Sequence, residues 1–339
     1  VQVFLHEFIT SGALNGQPLP DSLLREGAAM HRAVAKSLLA IEGVEVVTTR
    51  DHRIAALDVP GLSERAVSDP GEEANEFRSL SAGSAKTLII APEINGELGR
   101  RVSLAIEIAG PERVLNAPAL VVAASDKWET FLRLRAAGVP TIETRLGSSG
   151  AAPGWDRPVV KPRDGAGSQS VRRLANMAPA PGDTPSFDGQ SIIQPFVEGR
   201  WMSCTALFRP DGGVDLLPPA EQGIANDGTF SYLGGSIPAR CEASRLHELA
   251  LRAIRAVAGD GARPVGGVGV DFVENAKDGE LLVCEVNPRF TTSFVAAVEL
   301  AETNLLAGLL ATGVPSPRWK PGRLEFDASG HVRRPRSVR

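Results

Sequence analysis

VGVDFVENAKDGELLVCEVN, residues 268–287, decides how this chain is read. Two apolar runs, Val268 to Glu274 and Glu280 to Val286, flank the polar turn Asn275 to Gly279, which is the pattern of a β-hairpin. Asp271 interrupts the first run. Glu285 and Asn287 stand two apart on the second, so period-two alternation aims both at one face. If the register brings Asp271 opposite them, three hard oxygen ligands converge, a set that suits Mg²⁺ on nucleotide phosphates far better than zinc. A solvated face with scattered acids is the bland alternative for any antiparallel hairpin. Against it stands the apolar setting, GVGVDFV and LLVCEVNP, in which unpaired carboxylates are costly and a bound cation accounts for them.

Working outward, residues 160–170 read VKPRDGAGSQS. Lys161 ends a strand just before a glycine-rich loop whose backbone N–H groups can wrap phosphate oxygens. No Gly-Lys-Ser/Thr follows, so this is not a Walker A sequence, and alone it reads first as a surface turn; its order relative to the hairpin changes that. Ser191 to Glu198, SIIQPFVE, is a strand running into a polar break, where adenine can pair with main-chain groups; alone it is a core strand. Asp126-Lys127 opens a helix predicted to reach Ala137 and offers a second ammonium group, or else only a solvated helix start. The run before it, Leu120 to Ala124, reads as a strand, with the Ser125 hydroxyl capping the helix.

Val1 to Ile9, Asp21 to Ile41 and Val44 to Thr48 read as strand, helix, strand, and Thr87 to Ala91 and Leu98 to Ile108 continue the pattern. The first 118 residues therefore predict an open α/β layer. Ser191 to Phe196, Met202 to Arg209 and Val214 to Leu217 predict an antiparallel meander turning at Pro210-Asp211-Gly212-Gly213, and Ala243 to Ala258 a helix. Stretches after Arg145 and from Pro179 to Gly189 read as loops. The tail from Pro315 is basic and proline-rich, and its end is expected to be poorly ordered.

At 339 residues the chain exceeds one ordinary core, so a multi-lobed protein is expected. A net charge of −4 gives no footprint for nucleic acid. Apolar runs such as Leu88 to Pro92 fall far short of the ~20 residues that span a bilayer. VQVFLHEFI lacks a basic region before a long apolar stretch, so no signal peptide is read, and a cytoplasmic location is expected. Cys204, Cys241 and Cys284 form no Cys-x-x-Cys pair and read as small core residues. The histidines form no ligand-spaced pair.

Taken in order, Asp126-Lys127, Val160-Lys161-Pro162 with Asp164-Gly165-Ala166-Gly167-Ser168, Gln194-Pro195-Phe196-Val197-Glu198-Gly199, Asp271, and Glu285-Val286-Asn287-Pro288-Arg289 resemble the ATP-grasp superfamily. The resemblance covers about Val121 to Leu310. It implies two α+β lobes clamping ATP, residues 119–190 and 191–315, after an α/β N-terminal domain, 1–118, and before a basic tail, 316–339. It implies that Lys127, Lys161 and Gly165, Ala166, Gly167 and Ser168 contact phosphates. Gln194, Pro195, Phe196, Val197 and Glu198 would form the nucleotide hinge, although Glu198 comes early for a ribose contact. Asp271, Glu285 and Asn287 would bind Mg²⁺, or Mn²⁺ in its place.

Ala91-Pro92-Glu93, Ser125-Asp126-Lys127, Tyr232-Leu233-Gly234-Gly235, Asn287 to Ser293 and the opening Glu7 to Gly12 look like the branch containing tyramine–glutamate ligase of methanofuran-type cofactor synthesis. That resemblance implies an amide formed from a small carboxylate and an amine through an acyl phosphate. Arg289, Thr291 and Thr292 would lie near the acceptor, with Arg289 and Lys161 stabilising the transferring charge. No membrane or nucleic-acid partner is expected, and a homo-oligomer is compatible with the sequence. The rival reading is an ATP-binding protein of the same fold without ligase activity. A dehydrogenase is disfavoured, because the first strand runs into Thr10-Ser11-Gly12-Ala13 without Gly-x-Gly-x-x-Gly.

Overall fold

The computed structural model describes residues 1–149, 154–155, 157–167, 170–174 and 189–335. Strand β1 (Gln2–Glu7) sends Val3 and Leu5 into one apolar cluster and Phe4 into another. Both of its faces are covered, as parallel strands require. β1 pairs in parallel with β2 (Glu45–Asp51) and β4 (Lys86–Ile90), and β2 with β3 (Ser63–Val67), in the order β3-β2-β1-β4. Helix α1 (Asp21–Leu39) packs mainly on the Val3 side, and α2 (Pro70–Gly83) and α3 (Glu97–Ala109) pack on the Phe4 side. The α/β layer expected at the start of the chain is this unit. β3 and α2 lie in a polar stretch without clear periodicity. The signal for α2 is its start, where the Asp69 carboxylate accepts from the N–H groups of Gly71 and Glu72 and Pro70 takes the first turn.

Residues 118–125 correct the sequence reading. Leu120 to Ala124 is not a strand: Pro118–Ala124 forms helix α4, with Pro118 presetting φ at its first position. An apolar run this short does not distinguish a strand from a buried helical turn. The Ser125 hydroxyl does not cap the next helix but donates back to the Val121 carbonyl at 2.7 Å. Asp126 is the cap of α5 (Lys127–Ala136), accepting from Trp128 N at 2.9 Å and Glu129 N at 3.3 Å.

A small antiparallel sheet follows, from β5 (Arg145–Leu146), β6 (Pro158–Pro162), β7 (Arg172–Arg173) and β8 (Ser191–Pro195), in the order β5-β8-β6-β7. β8 therefore leaves the expected meander and pairs with β5 and β6. Most of the loop read at 179–189 lies outside the described residues.

The large sheet is built on β9 (Gly199–Phe208), which carries β10 (Val214–Leu216) as a hairpin partner. Its other strands are β11 (Ala220–Ile224), β12 (Tyr232–Ile237), β13 (Gly266–Asn275), β14 (Leu281–Asn287), β15 (Leu324–Asp327) and β16 (Val332–Arg333). The main path runs β14-β13-β9-β11-β12-β15-β16. Leu324–Asp327 and Val332–Arg333 of the tail are thus sheet, while 336–339 lie outside the described residues. Helix α6 (Ala243–Ala258) is apolar at Leu246, Leu249, Ala250, Ala253, Ile254 and Val257, and buries that stripe with α4 and β13 in one core. On the other side α7 (Phe294–Leu300) and α8 (Ala307–Leu310) share a core with α1 and β1, joining the large sheet to the parallel one. No described helix is long and apolar enough to cross a membrane.

Phe272 on β13 is fully buried in the α6 core. Phe272→Ala is expected to lower stability by about 3–5 kcal/mol, seen as a fall in the urea midpoint with an unchanged slope. An unchanged midpoint would contradict this packing.

Candidate functional site

In the β13–β14 ladder Val270 faces Val286 and Asp271 faces Glu285, but Phe272 then faces Val283. Cys284 is the extra residue of a β-bulge. Under strict alternation Leu281, Val283 and Glu285 would share a face, and Leu281 and Val283 belong to the α6 core. The bulge reverses the phase. Val286 returns to that core, and Cys284, Glu285 and Asn287 open with Asp271 on a cavity of about 220 Å³ between the small and large sheets.

Lysines from two other elements line this cavity. Lys127 stands at the start of α5, where Nζ donates to the Gly165 carbonyl at 2.8 Å and lies 3.4 Å from Glu285 Oε1. Lys161 comes from β6. Burial pushes the Glu285 carboxyl up, but Lys127, Lys161 and Arg289 together hold it below the usual range. Burial pushes the Lys161 ammonium down, and Glu285 pulls it back. Among the described residues Asp271 is met by amides alone, Gln222 Nε2 and Asn287 Nδ2, each at 2.9 Å. Burial and the facing Glu285 push its carboxyl up to about 7.

That imbalance is the test of whether a cation fits. Two carboxylates face each other across a ladder, one of them without a salt bridge among the described residues, and like charges so placed repel. The described residues hold no cluster of three or more His, Cys, Asp and Glu. A third oxygen here would come from the Asn287 amide, and two carboxylates with an amide form a hard donor set that suits Mg²⁺ or Mn²⁺.

Gly165, Ala166 and Gly167 line the same cavity. The loop is held from several sides: Lys127 N donates to Arg163 O at 2.8 Å, and Asn95 N donates to Asp164 Oδ2 at 2.7 Å. Gly167 has φ +63°, and a Cβ there would lie 2.6 Å from Leu23 Cδ2 on α1. Glycine is what lets the loop reach the parallel-sheet unit. Ser168 lies outside the described residues.

Gln194, Pro195, Phe196 and Val197 line the cavity at the junction of β8 and β9, with Gln194 Nε2 donating to Thr144 Oγ1 at 2.8 Å. The Arg173 guanidinium lies 3.9 Å from the centre of the Phe196 ring. Glu198 is not part of the lining and corrects the hinge as read: its side chain is 75% exposed, 3.7 Å from Arg157. The chain enters β9 at the next residue, and Glu198 is turned to solvent there.

Arg289 lines the cavity, but Nε and Nη2 are both held at 3.0 Å by the buried Glu93, in a fork-to-fork pair. Thr291 Oγ1 is 3.3 Å from Thr205 Oγ1, and Thr292 Oγ1 donates to Glu26 Oε2 at 3.3 Å. Behind Arg289 the buried Glu7 accepts from Thr10 N at 2.8 Å and Thr10 Oγ1 at 2.7 Å, and that hydroxyl is 2.7 Å from His31 Nδ1. Burial pushes Glu7 up to about 7 against the pull of Thr10 and Arg289. A Cβ at Gly27 would lie 2.6 Å from Glu7 Oε1, so any larger residue on α1 there would displace the Glu7 carboxylate.

The site thus gathers Lys127, Lys161, the described glycine loop, Gln194 to Val197, Asp271, Glu285, Asn287, Arg289, Thr291 and Thr292. Sequence reasoning missed Glu26, Gln222 and the pairing of Glu93 with Arg289. A signal existed for Glu26, which interrupts the buried spacing Leu23, Gly27, Met30 on α1. For Gln222 there was none, because β11 itself was not read.

Comparison with known proteins gives the family and the fold. The family model for the ATP-grasp domain matches residues 124–293, and that for the pre ATP-grasp 3 domain matches 44–132. The chain is 29% identical over 312 residues to a D-alanine–D-alanine ligase of Mycobacterium sp. (strain KMS), covering 80% of this chain and 82% of that one. It is 33% identical over 135 residues to D-alanine–D-alanine ligase A of Mesorhizobium japonicum, a match spanning 36% of that protein. Among solved structures, an ATP-grasp superfamily protein from Archaeoglobus fulgidus superposes with a TM-score of 0.71 at 25% identity, covering 96% of this chain and 92% of that one. N5-carboxyaminoimidazole synthetase from Staphylococcus aureus complexed with ADP gives 0.68 at 15% identity, covering 96% and 82%.

Glu7 generates a pH prediction. Its carboxyl titrates near 7 in the native state and near 4.5 when exposed, so between these values the native state binds more protons than the unfolded one. Its contribution favours the native state at low pH and is lost as pH rises through 7. Urea denaturation at pH 5 and pH 8 should show wild type losing on the order of 3 kcal/mol more than Glu7→Gln between the two. Equal losses would mean that Glu7 is ionised throughout.

Proposed function

The chain belongs to the ATP-grasp family, and from that premise we propose that it is an ATP-dependent, ADP-forming carbon–nitrogen ligase joining a small carboxylate to an amine. The observation that supports this most is the meeting in one cavity of two lysines, a glycine loop, and the facing pair Asp271 and Glu285 with Asn287.

In this reading a substrate carboxylate oxygen attacks the γ-phosphorus of ATP, the bond to the bridging oxygen breaks, and ADP leaves. The amine nitrogen then attacks the acyl carbon, phosphate departs, and nitrogen loses a proton. Mg²⁺, held by Asp271, Glu285 and Asn287, would supply neutralising charge on phosphate oxygens when bound. The chain's own groups do the rest. Lys127 and Lys161 direct ammonium charge at the phosphates, and the N–H groups of Gly165 to Gly167 cover them. Gln194 to Val197 hold the base, with Phe196 already backed by Arg173. Arg289, kept in place by Glu93, lends positive charge to the phosphorylated carboxylate. Three free cysteines and ATP dependence fit the cytoplasm.

Within this class, the motifs shared with tyramine–glutamate ligase make γ-glutamyl transfer to tyramine or a similar amine, in methanofuran-type cofactor synthesis, the first pairing to test. The D-alanine–D-alanine ligases it resembles make D-alanine the second. A non-catalytic ATP-binding role is the remaining alternative, and amine-dependent ADP release separates it.

Glu285→Gln and Asn287→Ala are each expected to lower ADP release at least 100-fold while urea unfolding stays near wild type. Either purified variant releasing ADP at the wild-type rate would remove both residues from the reaction.

A further inference from the structure

The cavity is lined by charges of both signs: Lys127 and Lys161 from the ATP-grasp domain, and Glu26 of α1, with Thr292 and Tyr232 beside it. Around Arg289 the charges do not cancel. Its Nε and Nη2 are taken by Glu93, yet it also acts on the carboxylates of Glu7, Glu26, Asp271 and Glu285. One cation therefore serves five acids. Glu285 also has Lys127, Asp271 has two amides and Glu7 is turned inward to Thr10, whereas Glu26 lines the cavity without a salt bridge among the described residues. Among the described residues its side chain has one hydrogen bond, from Thr292 Oγ1, at a long 3.3 Å.

Glu26 is half-buried, and a carboxylate so placed with a single weak donor can be completed by a ligand that enters the cavity. Partial burial pushes the Glu26 carboxyl up, against the pull of Arg289, Thr292 and Arg25. The neighbouring Tyr232 phenol is pushed well up by burial and by Glu26 and Asp271, so it remains a donor. The Gly167 position, 4.0 Å from Glu26 Oε1 as measured from a Cβ built there, sets this acid against the loop that covers the phosphates.

Resting on the ligase reading above, we propose that Glu26 is the receptor for the ammonium group of the amine substrate, so that the enzyme selects primary amines that are cationic in solution over neutral nucleophiles. The ammonium would bind between the Glu26 carboxylate and the Thr292 hydroxyl, within reach of the acyl carbon at the phosphate loop. One proton passes first to Glu26, freeing the nitrogen lone pair; nitrogen then attacks the acyl carbon, phosphate leaves with the electron pair of the broken acyl bond, and the second nitrogen proton leaves with the phosphate.

The test compares two nucleophiles with one acid and ATP at about pH 8, where a primary amine remains an ammonium ion and hydroxylamine is neutral. Wild type is incubated with a panel of amino acids as acid, with hydroxylamine read as hydroxamate and with a panel of primary amines read as amide and ADP. Glu26→Gln is expected to lower the ratio of kcat/KM for the amine over that for hydroxylamine at least tenfold, mainly through the amine KM. Glu26→Asp, which keeps the charge but withdraws it, should lower the ratio less, and it carries the comparison if the glutamine variant does not fold. A ratio within twofold of wild type in both variants overturns the proposal. So does wild type that forms hydroxamate but accepts no primary amine. Wild type forming neither product would instead overturn the ligase reading, and this inference with it.

Discussion

The structure depends on keeping Asp271 and Glu285 opposite each other. Two acids at one rung of a ladder repel, and the repulsion grows as water is removed. Glu285 is answered by Lys127, which stands at the head of α5 only because Asp126 caps that helix and Arg163 grips Asp126. Lys161 approaches from the small sheet, and Asp271 is left to amides. Helix cap, small sheet and hairpin are thus bound to one electrostatic requirement.

Arg289 is the second point at which separate units meet. Its partner Glu93 follows the last strand of the parallel sheet, and the pair fixes that unit to the end of β14. Glycine at 27 and 167 supplies the other closeness, one by letting α1 pass over Glu7 and the other by letting the loop rest on Leu23. The N-terminal layer is therefore a wall of the cavity, contributed by Glu26, as well as a neighbouring fold unit.

Much of this was legible in the sequence, and the reasons differ by element. Helix α6 carries a complete apolar stripe, and hairpin β13–β14 is bounded by a polar turn, so local pattern suffices for both. Leu120 to Ala124 failed because five apolar residues do not record their own period. β8 failed differently: its strand was read, but its partners β5 and β6 are set by tertiary pairing that no local pattern encodes. In the site, Asp271, Glu285, Asn287 and the lysines were visible as charges in apolar or glycine-rich settings. Gln222 and the Glu93 pairing were not, because each acquires its meaning from a residue far away in the chain, and Glu26 left only its break in the α1 spacing as a trace.

The bulge at Cys284 gives β14 two reading frames in seven residues. Before it, odd-numbered positions face the core; after it, even-numbered ones do. Such a strand depends on where its one irregularity falls. Losing Cys284 would leave Glu285 opposite Asp271 and Val286 opposite Val270 in a regular ladder, whereas pairing all seven residues without the bulge would carry Glu285 into the apolar packing and Val286 into the cavity, so the two faces would be exchanged at a stroke. A segment of this kind can drift in composition on either face while its register stays fixed, and anyone grafting the hairpin onto another sheet would have to keep the irregularity or remove its extra residue.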